Sequence, residues 1–158
     1  MTPIRRYAAA LSLLCLVLPA ACKDDGDDLA GPPVTTPLEC GQVGATDCGL
    51  PLDAQASFTV TITSIDCEAH SNKIRVTSPV SDELTDDACY EAVGKSWSFP
   101  GPFAAGSQLN FEIESRQLRN AASLRASGAY PTWSLTFEDG GDQDFNDIVL
   151  QVTATPTP

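Results

Sequence analysis

Basic residues are scarce in this chain: 9 Lys and Arg stand against 21 Asp and Glu in 158 residues, a formal charge of −12. Arg5 and Arg6 sit near the N-terminus, and without them 7 basic residues face 21 acidic ones, a formal charge of −14. Such a surface disfavours DNA, RNA and anionic lipid as partners and favours cations or basic proteins. Histidine is scarcer still. His70 is the single one, in a turn-like stretch beside Ser71 and Asn72. A Ser-His-Asp arrangement is assembled in space, but a lone histidine in a turn is more often a surface residue. No Gly-rich phosphate loop and no nucleophile elbow occurs. No C-x-x-C spacing exists for zinc. The composition therefore points away from an enzyme. Internal repeats are also lacking.

Long apolar runs are missing too. The one candidate, Tyr7 to Leu18, is too short to span a bilayer as a helix. It follows the basic pair Arg5-Arg6 and leads through Pro19-Ala20-Ala21 into Cys22, the layout of an export signal. Small residues before a cysteine look like a bacterial lipobox, which places lipid on Cys22 and makes residues 1–21 a signal peptide. The competing reading is ordinary cleavage at Ala20 or Ala21 with Cys22 left as a spare thiol. Lipidation is favoured because it accounts for the odd cysteine, and several acyl chains anchor a protein stably. The expected location is the bacterial cell envelope, on the outer membrane or the cell surface.

Residues 22–37 read as a disordered tether. Lys23-Asp24-Asp25-Gly26-Asp27-Asp28 is too charged to pack, and Gly31-Pro32-Pro33-Val34-Thr35-Thr36-Pro37 has the composition of a semi-rigid spacer. Lys followed by two acids also resembles the surface-export signal of lipoproteins in Bacteroidetes-type bacteria. Residues 38–158 remain, enough for one domain with its own core. Once Cys15 leaves with the signal and Cys22 takes the lipid, Cys40, Cys48, Cys67 and Cys89 are left for an oxidising compartment. Two disulfides follow. Of three possible connectivities, Cys40–Cys48 and Cys67–Cys89 are preferred because they close short loops.

Alternation in this domain has period two. Phe58, Val60 and Ile62 alternate with Thr59, Thr61 and Thr63; Ile74 and Val76 alternate with Lys73 and Arg75. Leu109, Phe111 and Ile113 form a third set, Trp133, Leu135 and Phe137 a fourth, and Ile148, Leu150 and Val152 a fifth. His70-Ser71-Asn72, Pro100-Gly101-Pro102, Gly128 and Gly140-Gly141 separate them as turns. The expected fold class is all-β, an antiparallel β-sandwich with two disulfides and a disordered N-terminal tether. Only Ser81 to Val93 has a helical reading, with Ser81 as cap and Asp82 and Glu83 in the first turn. Asp86 and Asp87 there read as an exposed acidic stretch rather than a metal site. Trp97, Trp133 and Tyr130 are the candidate sugar-stacking platforms; parity places Trp133 in the core, and Trp97 is open to either role.

The densest chemistry is F-E-D-G-G-D-Q-D-F-N-D, Phe137 to Asp147. It carries the carboxylates of Glu138, Asp139, Asp142, Asp144 and Asp147 with no Lys, Arg or His between them. Crowded carboxylates repel, and a hard cation with oxygen ligands resolves the conflict; Ca²⁺ suits such a loop better than Zn²⁺ or Cu²⁺. An EF-hand is rejected, since Asp147 stands where Gly is needed and Thr153 where the bidentate Glu should be. A solvated hairpin turn is the plain alternative, and acid pairs packed into one turn do not suit glycoside hydrolysis, which places its carboxyls across a cleft. The expected metal ligands are Asp139, Asp142, Asp144, Asn146 and Asp147. A bulge between Phe145 and Ile148 is expected to aim Asn146 and Asp147 at the ion, with Glu138 turned to solvent.

The same string resembles the uncharacterised C-terminal calcium-binding β-sandwich domain of bacterial surface proteins, with related strings in the LruC-type domain. Phe137-Glu138-Asp139 matches its first block, Gly140-Gly141 a shortened spacer, and Asp142, Asp144, Phe145, Asn146 and Asp147 its second block. Ile148 to Val152 matches the closing strand, and Ala105-Gly106-Ser107-Gln108-Leu109-Asn110-Phe111 an upstream strand. The resemblance spans about residues 95–153. It implies an all-β fold with Ca²⁺ near the motif and no reaction. The expected function is a lipid-anchored, calcium-stabilised structural or adhesive binding module of the cell envelope. The alternative is a calcium-dependent carbohydrate-binding domain. The partner would be a surface glycan or a protein.

Overall fold

A computed structural model describes residue 40 and residues 47–68, 71–115, 123–139 and 142–158. The signal peptide, Cys22, the tether, His70 and Gly140-Gly141 lie outside these residues. The described residues form two antiparallel sheets packed face to face, the expected sandwich. Strands are β1 (Asp47–Pro51), β2 (Ala56–Ile65), β3 (Asn72–Ser78), β4 (Asp82–Thr85), β5 (Ser96–Phe103), β6 (Gln108–Ser115), β7 (Ser123–Ala129), β8 (Thr132–Glu138) and β9 (Ile148–Pro156). One sheet runs β1-β6-β3-β4 and the other β5-β2-β9-β8-β7.

The period-two sets become the inner faces. Phe58, Val60 and Ile62 of β2 and Ile148, Leu150 and Val152 of β9 are buried beside Trp133, Leu135 and Phe137 of β8. Opposite them lie Ile74, Val76, Leu109, Phe111 and Ile113 of the smaller sheet. Trp133 is a core residue at 1% exposure, as its parity requires. Both expected disulfides are present, Cys40–Cys48 and Cys67–Cys89.

The helical reading open to Ser81 to Val93 is not realised as an α-helix. Asp82–Thr85 is instead a short edge strand paired with β3, Ile74 against Thr85 and Val76 against Asp82. A 3-10 turn over Ala88–Tyr90 follows, capped by the Asp87 side chain. Burial of Leu84 and Thr85 against the core outweighs the helical start signal. The Pro100-Gly101-Pro102 turn is likewise part of edge strand β5, where missing donors are tolerated. Gly128 is inside β7, not at its end. It takes φ +95°, and a Cβ there would lie 2.6 Å from the Thr132 carbonyl oxygen. Gly128→Ala is expected to cost on the order of 1–3 kcal/mol, read from the urea midpoint; an unchanged midpoint would contradict the close packing.

Candidate metal centre

β8 and β9 form an uninterrupted ladder from Thr132 against Thr153 to Phe137 against Ile148. The acidic string is the loop between them. Its backbone is forced into an unusual path: Gln143 and Phe145 take φ of 61° and 60°. Positive φ at a bulky Phe is strained and needs support. Two contacts supply it. The Phe145 N–H donates to Glu138 Oε2 at 3.1 Å, and the Arg125 guanidinium lies 3.2 Å from the centre of the Phe145 ring, a cation–π contact.

The expected bulge between Phe145 and Ile148 is therefore replaced by a left-handed turn at Phe145. The register shift falls instead on the neighbouring strand β2, between Ile62 and Ser64. Glu138 also differs from expectation. It is buried at 4% exposure rather than facing solvent: β8 still pairs it with Ser123, and the returning loop meets its carboxylate through the Phe145 N–H.

The five carboxylates fall into two groups. Glu138, Asp142 and Asp144 bring carboxylate oxygens within 4.8 Å of one another, with Glu138 buried and the two Asp residues exposed. Asp142 and Asp144 are held by Asx-type bonds: Asp144 N–H donates to Asp142 Oδ1 at 3.4 Å, and Asn146 N–H to Asp144 Oδ1 at 3.1 Å. The Asn146 side-chain amide donates to Asp144 Oδ2 at 2.6 Å, so Asn146 orients a carboxylate.

Asp139 and Asp147 form the second group, both essentially buried. Asp139 N–H donates to Asp147 Oδ2 at 2.7 Å. The Glu68 N–H reaches Oδ1 of both residues, at 3.3 Å each. The Asn72 side-chain amide donates to Asp139 Oδ2. Asp66 N–H donates to the Asp147 carbonyl at 2.7 Å, tying the end of β2 to the loop. Of the expected ligands, Asp142 and Asp144 are brought together with Glu138, while Asp139 and Asp147 sit one layer deeper as a hydrogen-bonded pair.

Behind that pair lies the Cys67–Cys89 bridge. Cys67 Sγ is 3.6 Å from the Asp147 carbonyl oxygen and Cys89 Sγ is 3.9 Å from Asp139 Oδ2. Asp87, part of the acidic stretch read as exposed, organises this region. It accepts from Ser71 N–H at 2.7 Å and Cys89 N–H at 3.2 Å. Asn72 and Asp87 thus belong to the support of the site, and neither carries a sequence signal for it.

Burial is the largest cause that pushes the Asp147 carboxyl up from 3.8 to about 7, and the nearby Asp139 and Glu138 add to it while the Asp139 N–H opposes it. A raised carboxyl pKa in the folded state contributes stability fully present below 3.8 and lost as pH rises through about 7. In calcium-free buffer the melting temperature is therefore expected to fall across that window. A melting temperature that climbs from pH 4 to 7 would contradict it. The donor set fits a hard cation: it is all oxygen, crowded, and includes a buried carboxyl that resists ionising alone.

No protein-family model and no curated protein matches the chain. Solved structures with a similar backbone include the high-affinity mannose-binding lectin of Ralstonia solanacearum, at 19% identity and TM-score 0.49, covering 75% of this chain and 100% of that one. The Chromobacterium violaceum lectin CV2L in complex with alpha-methyl-fucoside gives 14% identity, TM-score 0.43, and 75% and 100% coverage. The C-terminal domain of the BC2L-C lectin from Burkholderia cenocepacia gives 16% identity, TM-score 0.43, and 70% and 96% coverage.

Proposed function

We propose that this chain is a non-catalytic, calcium-stabilised binding module held on the bacterial cell envelope by lipid at Cys22. The grouping of Glu138, Asp142 and Asp144 beside the buried Asp139–Asp147 pair carries the reading. Five carboxylates gathered at one strand junction, with Arg125 the base stacked on its Phe145, suit Ca²⁺ as the stabilising partner. Glu138, Asp142 and Asp144 would hold the ion, with Asp139 and Asp147 fixing the loop beneath; the ion supplies charge neutralisation. The resemblance to the calcium-binding β-sandwich domain of bacterial surface proteins supports the same reading.

The geometry also favours a specific use. Asp142, Asp144 and Asn146 are exposed while Glu138, Asp139 and Asp147 are buried. Calcium takes six to eight oxygen ligands, so an ion at this rim would keep positions open to solvent. Hydroxyl pairs of a sugar are oxygen ligands of the right kind. Calcium-dependent carbohydrate binding is thus the partner chemistry we favour over a purely structural or adhesive role, and it rests on this chain's own rim rather than on the lectin structures. A glycan array read with and without Ca²⁺ tests it. Signals that vanish on chelation are expected; no glycan signal in either condition would return the module to the structural reading.

Anchoring has its own test. Cys22→Ser is expected to move most of the protein from the membrane fraction to the soluble fraction. Absence of labelled fatty acid on the wild type would contradict the lipid reading.

A further inference from the structure

The outer faces of the two sheets differ in chemistry. The outer face of the smaller sheet is charged: Lys73 pairs with Glu83 at 2.9 Å and Arg75 with Glu114 at 2.5 Å. This is the usual dressing of a solvated sheet. The outer face of the five-stranded sheet carries hydroxyls instead. Strand register aligns Ser96, Thr61, Gln151, Ser134 and Ser127 in one row across β5, β2, β9, β8 and β7. A second row aligns Ser98, Thr59, Thr153 and Thr132. The third contains Val149, Thr136 and Arg125, and Arg125 is the one charge among the described residues of these rows.

Three observations set this face apart from an ordinary wet surface. First, a chain of net charge −12 leaves a five-strand-wide area almost uncharged while its other sheet is studded with ion pairs. Second, the face is not flat. A groove of about 460 Å³ is lined by Thr63, Ser127, Gly128, Thr132, Ser134 and Gln151, together with Trp133, whose side chain parity turns to the core. Gly128, one of the lining residues, takes φ +95°. Third, the hydroxyls are held. Thr61 Oγ1 and Ser96 Oγ share a hydrogen bond of 2.7 Å, and Thr63 Oγ1 donates to the Val149 carbonyl at 3.1 Å. Threonine side chains are β-branched and stiff, so little order is lost when they meet a ligand.

We propose that this face binds a neutral polysaccharide through its hydroxyl rows, at a second surface that does not use the calcium rim. Charge selects the occupant. Anionic polymers are repelled by the acidic chain, and cationic ones are drawn to the acidic loop rather than here. A protein partner would seek aromatic or Arg anchors in a desolvated centre; the first two rows offer Ser, Thr and Gln there, and Arg125 of the third row is taken up by the Phe145 ring. Hydroxyl and amide groups both donate and accept, matching a ligand made of hydroxyls with no charge to desolvate. Rows repeat at about 4.8 Å between strands and about 6.8 Å along them, which favours an extended chain over a single sugar. Without a stacking ring in the rows, binding to one sugar is weak, and retention comes from many contacts along a polymer.

The two hydroxyl rows and the groove lie apart from the rim, which the third row approaches through Arg125 on Phe145. Ser134 and Glu138 are four positions apart along β8, roughly 14 Å at strand rise. This separates the two ideas experimentally. Full-length protein in detergent would be passed over immobilised neutral glucan, mannan and galactan, and over alginate and pectate as anionic arms, in Ca²⁺ and in EDTA at a temperature below both melting transitions. Retention on at least one neutral polymer is expected in both buffers. Thr132→Lys/Gln151→Lys should lower it at least tenfold with an unchanged melting curve. Thr77→Lys, the same exchange on the outer face of the smaller sheet, should leave it intact. Asp144→Ala should keep it while losing the calcium response. Failure on every neutral polymer overturns the proposal, as does retention undiminished by the double variant, or retention lost only with Asp144→Ala. A calcium response absent from the wild type, with the double variant still abolishing retention, would sink the metal reading and leave this surface standing.

Discussion

Chelating calcium is expected to lower the melting temperature of the protein by about 10 °C. Linkage gives the size. At free Ca²⁺ about 100 times its dissociation constant, binding to the folded state alone contributes roughly 2.7 kcal/mol. For a domain of this length each kcal/mol moves the midpoint by about 4 °C. Structurally, the loss falls on the β8–β9 junction, where the loop path depends on Glu138 meeting the Phe145 N–H and on Asp147 meeting the Asp139 N–H. Without the ion, repulsion among the carboxylates works against both bonds. Mg²⁺ should rescue weakly, since it resists dehydration and demands tighter octahedral geometry. Asp144→Ala should remove most of the shift and Asp86→Ala none of it. Superimposable melts in EDTA and in millimolar-range Ca²⁺ would leave the acidic string a solvated turn.

Removing the Cys67–Cys89 bridge is expected to be as costly. Its 22-residue separation corresponds, in the chain-entropy account, to about 3 kcal/mol. The two disulfides should then part company in function. Cys67 and Cys89 sit directly behind Asp147 and Asp139, whereas Cys40–Cys48 ties the N-terminal approach to β1 and spans only 8 residues. Cys67→Ala/Cys89→Ala should therefore weaken calcium binding severalfold as well as lowering stability. Cys40→Ala/Cys48→Ala should cost stability alone. Calorimetric titration below each variant's melting temperature distinguishes them. Equal calcium affinity in the two variants would show that the bridge behind the acidic pair does not shape the site.

The sequence was most legible where one face of a strand is buried. In β2, β6, β8 and β9, burial alternates with the same period as the apolar residues, so local pattern and tertiary demand agree. It was least legible at sheet edges. β4 looks like a helix start because Ser81, Asp82 and Glu83 are good first-turn residues, yet its partner is β3, a contact that no local rule contains. β5 holds a Pro-Gly-Pro stretch that reads as a turn and is admitted as strand because an edge tolerates missing donors. At the site, the string itself announced crowded carboxylates. What it hid was their division into two groups, because Glu138 and Asp139 are both buried and meet Phe145 and Asn72 in contacts that no strand periodicity contains. The role of Asn72, 67 positions away from Asp139, had no signal at all.

Glu138 is the sharpest point of difference between motif and geometry, and it supplies the most direct test. Calcium-free full-length protein would be titrated with Ca²⁺ in a calorimeter, alongside Glu138→Gln, Asp144→Asn and Thr77→Lys. Saturable heat is expected for wild type and Thr77→Lys, and at least tenfold weaker binding for both Glu138→Gln and Asp144→Asn. No saturable heat from the wild type, or full affinity in both acid variants, would contradict the claim that this loop is a calcium site.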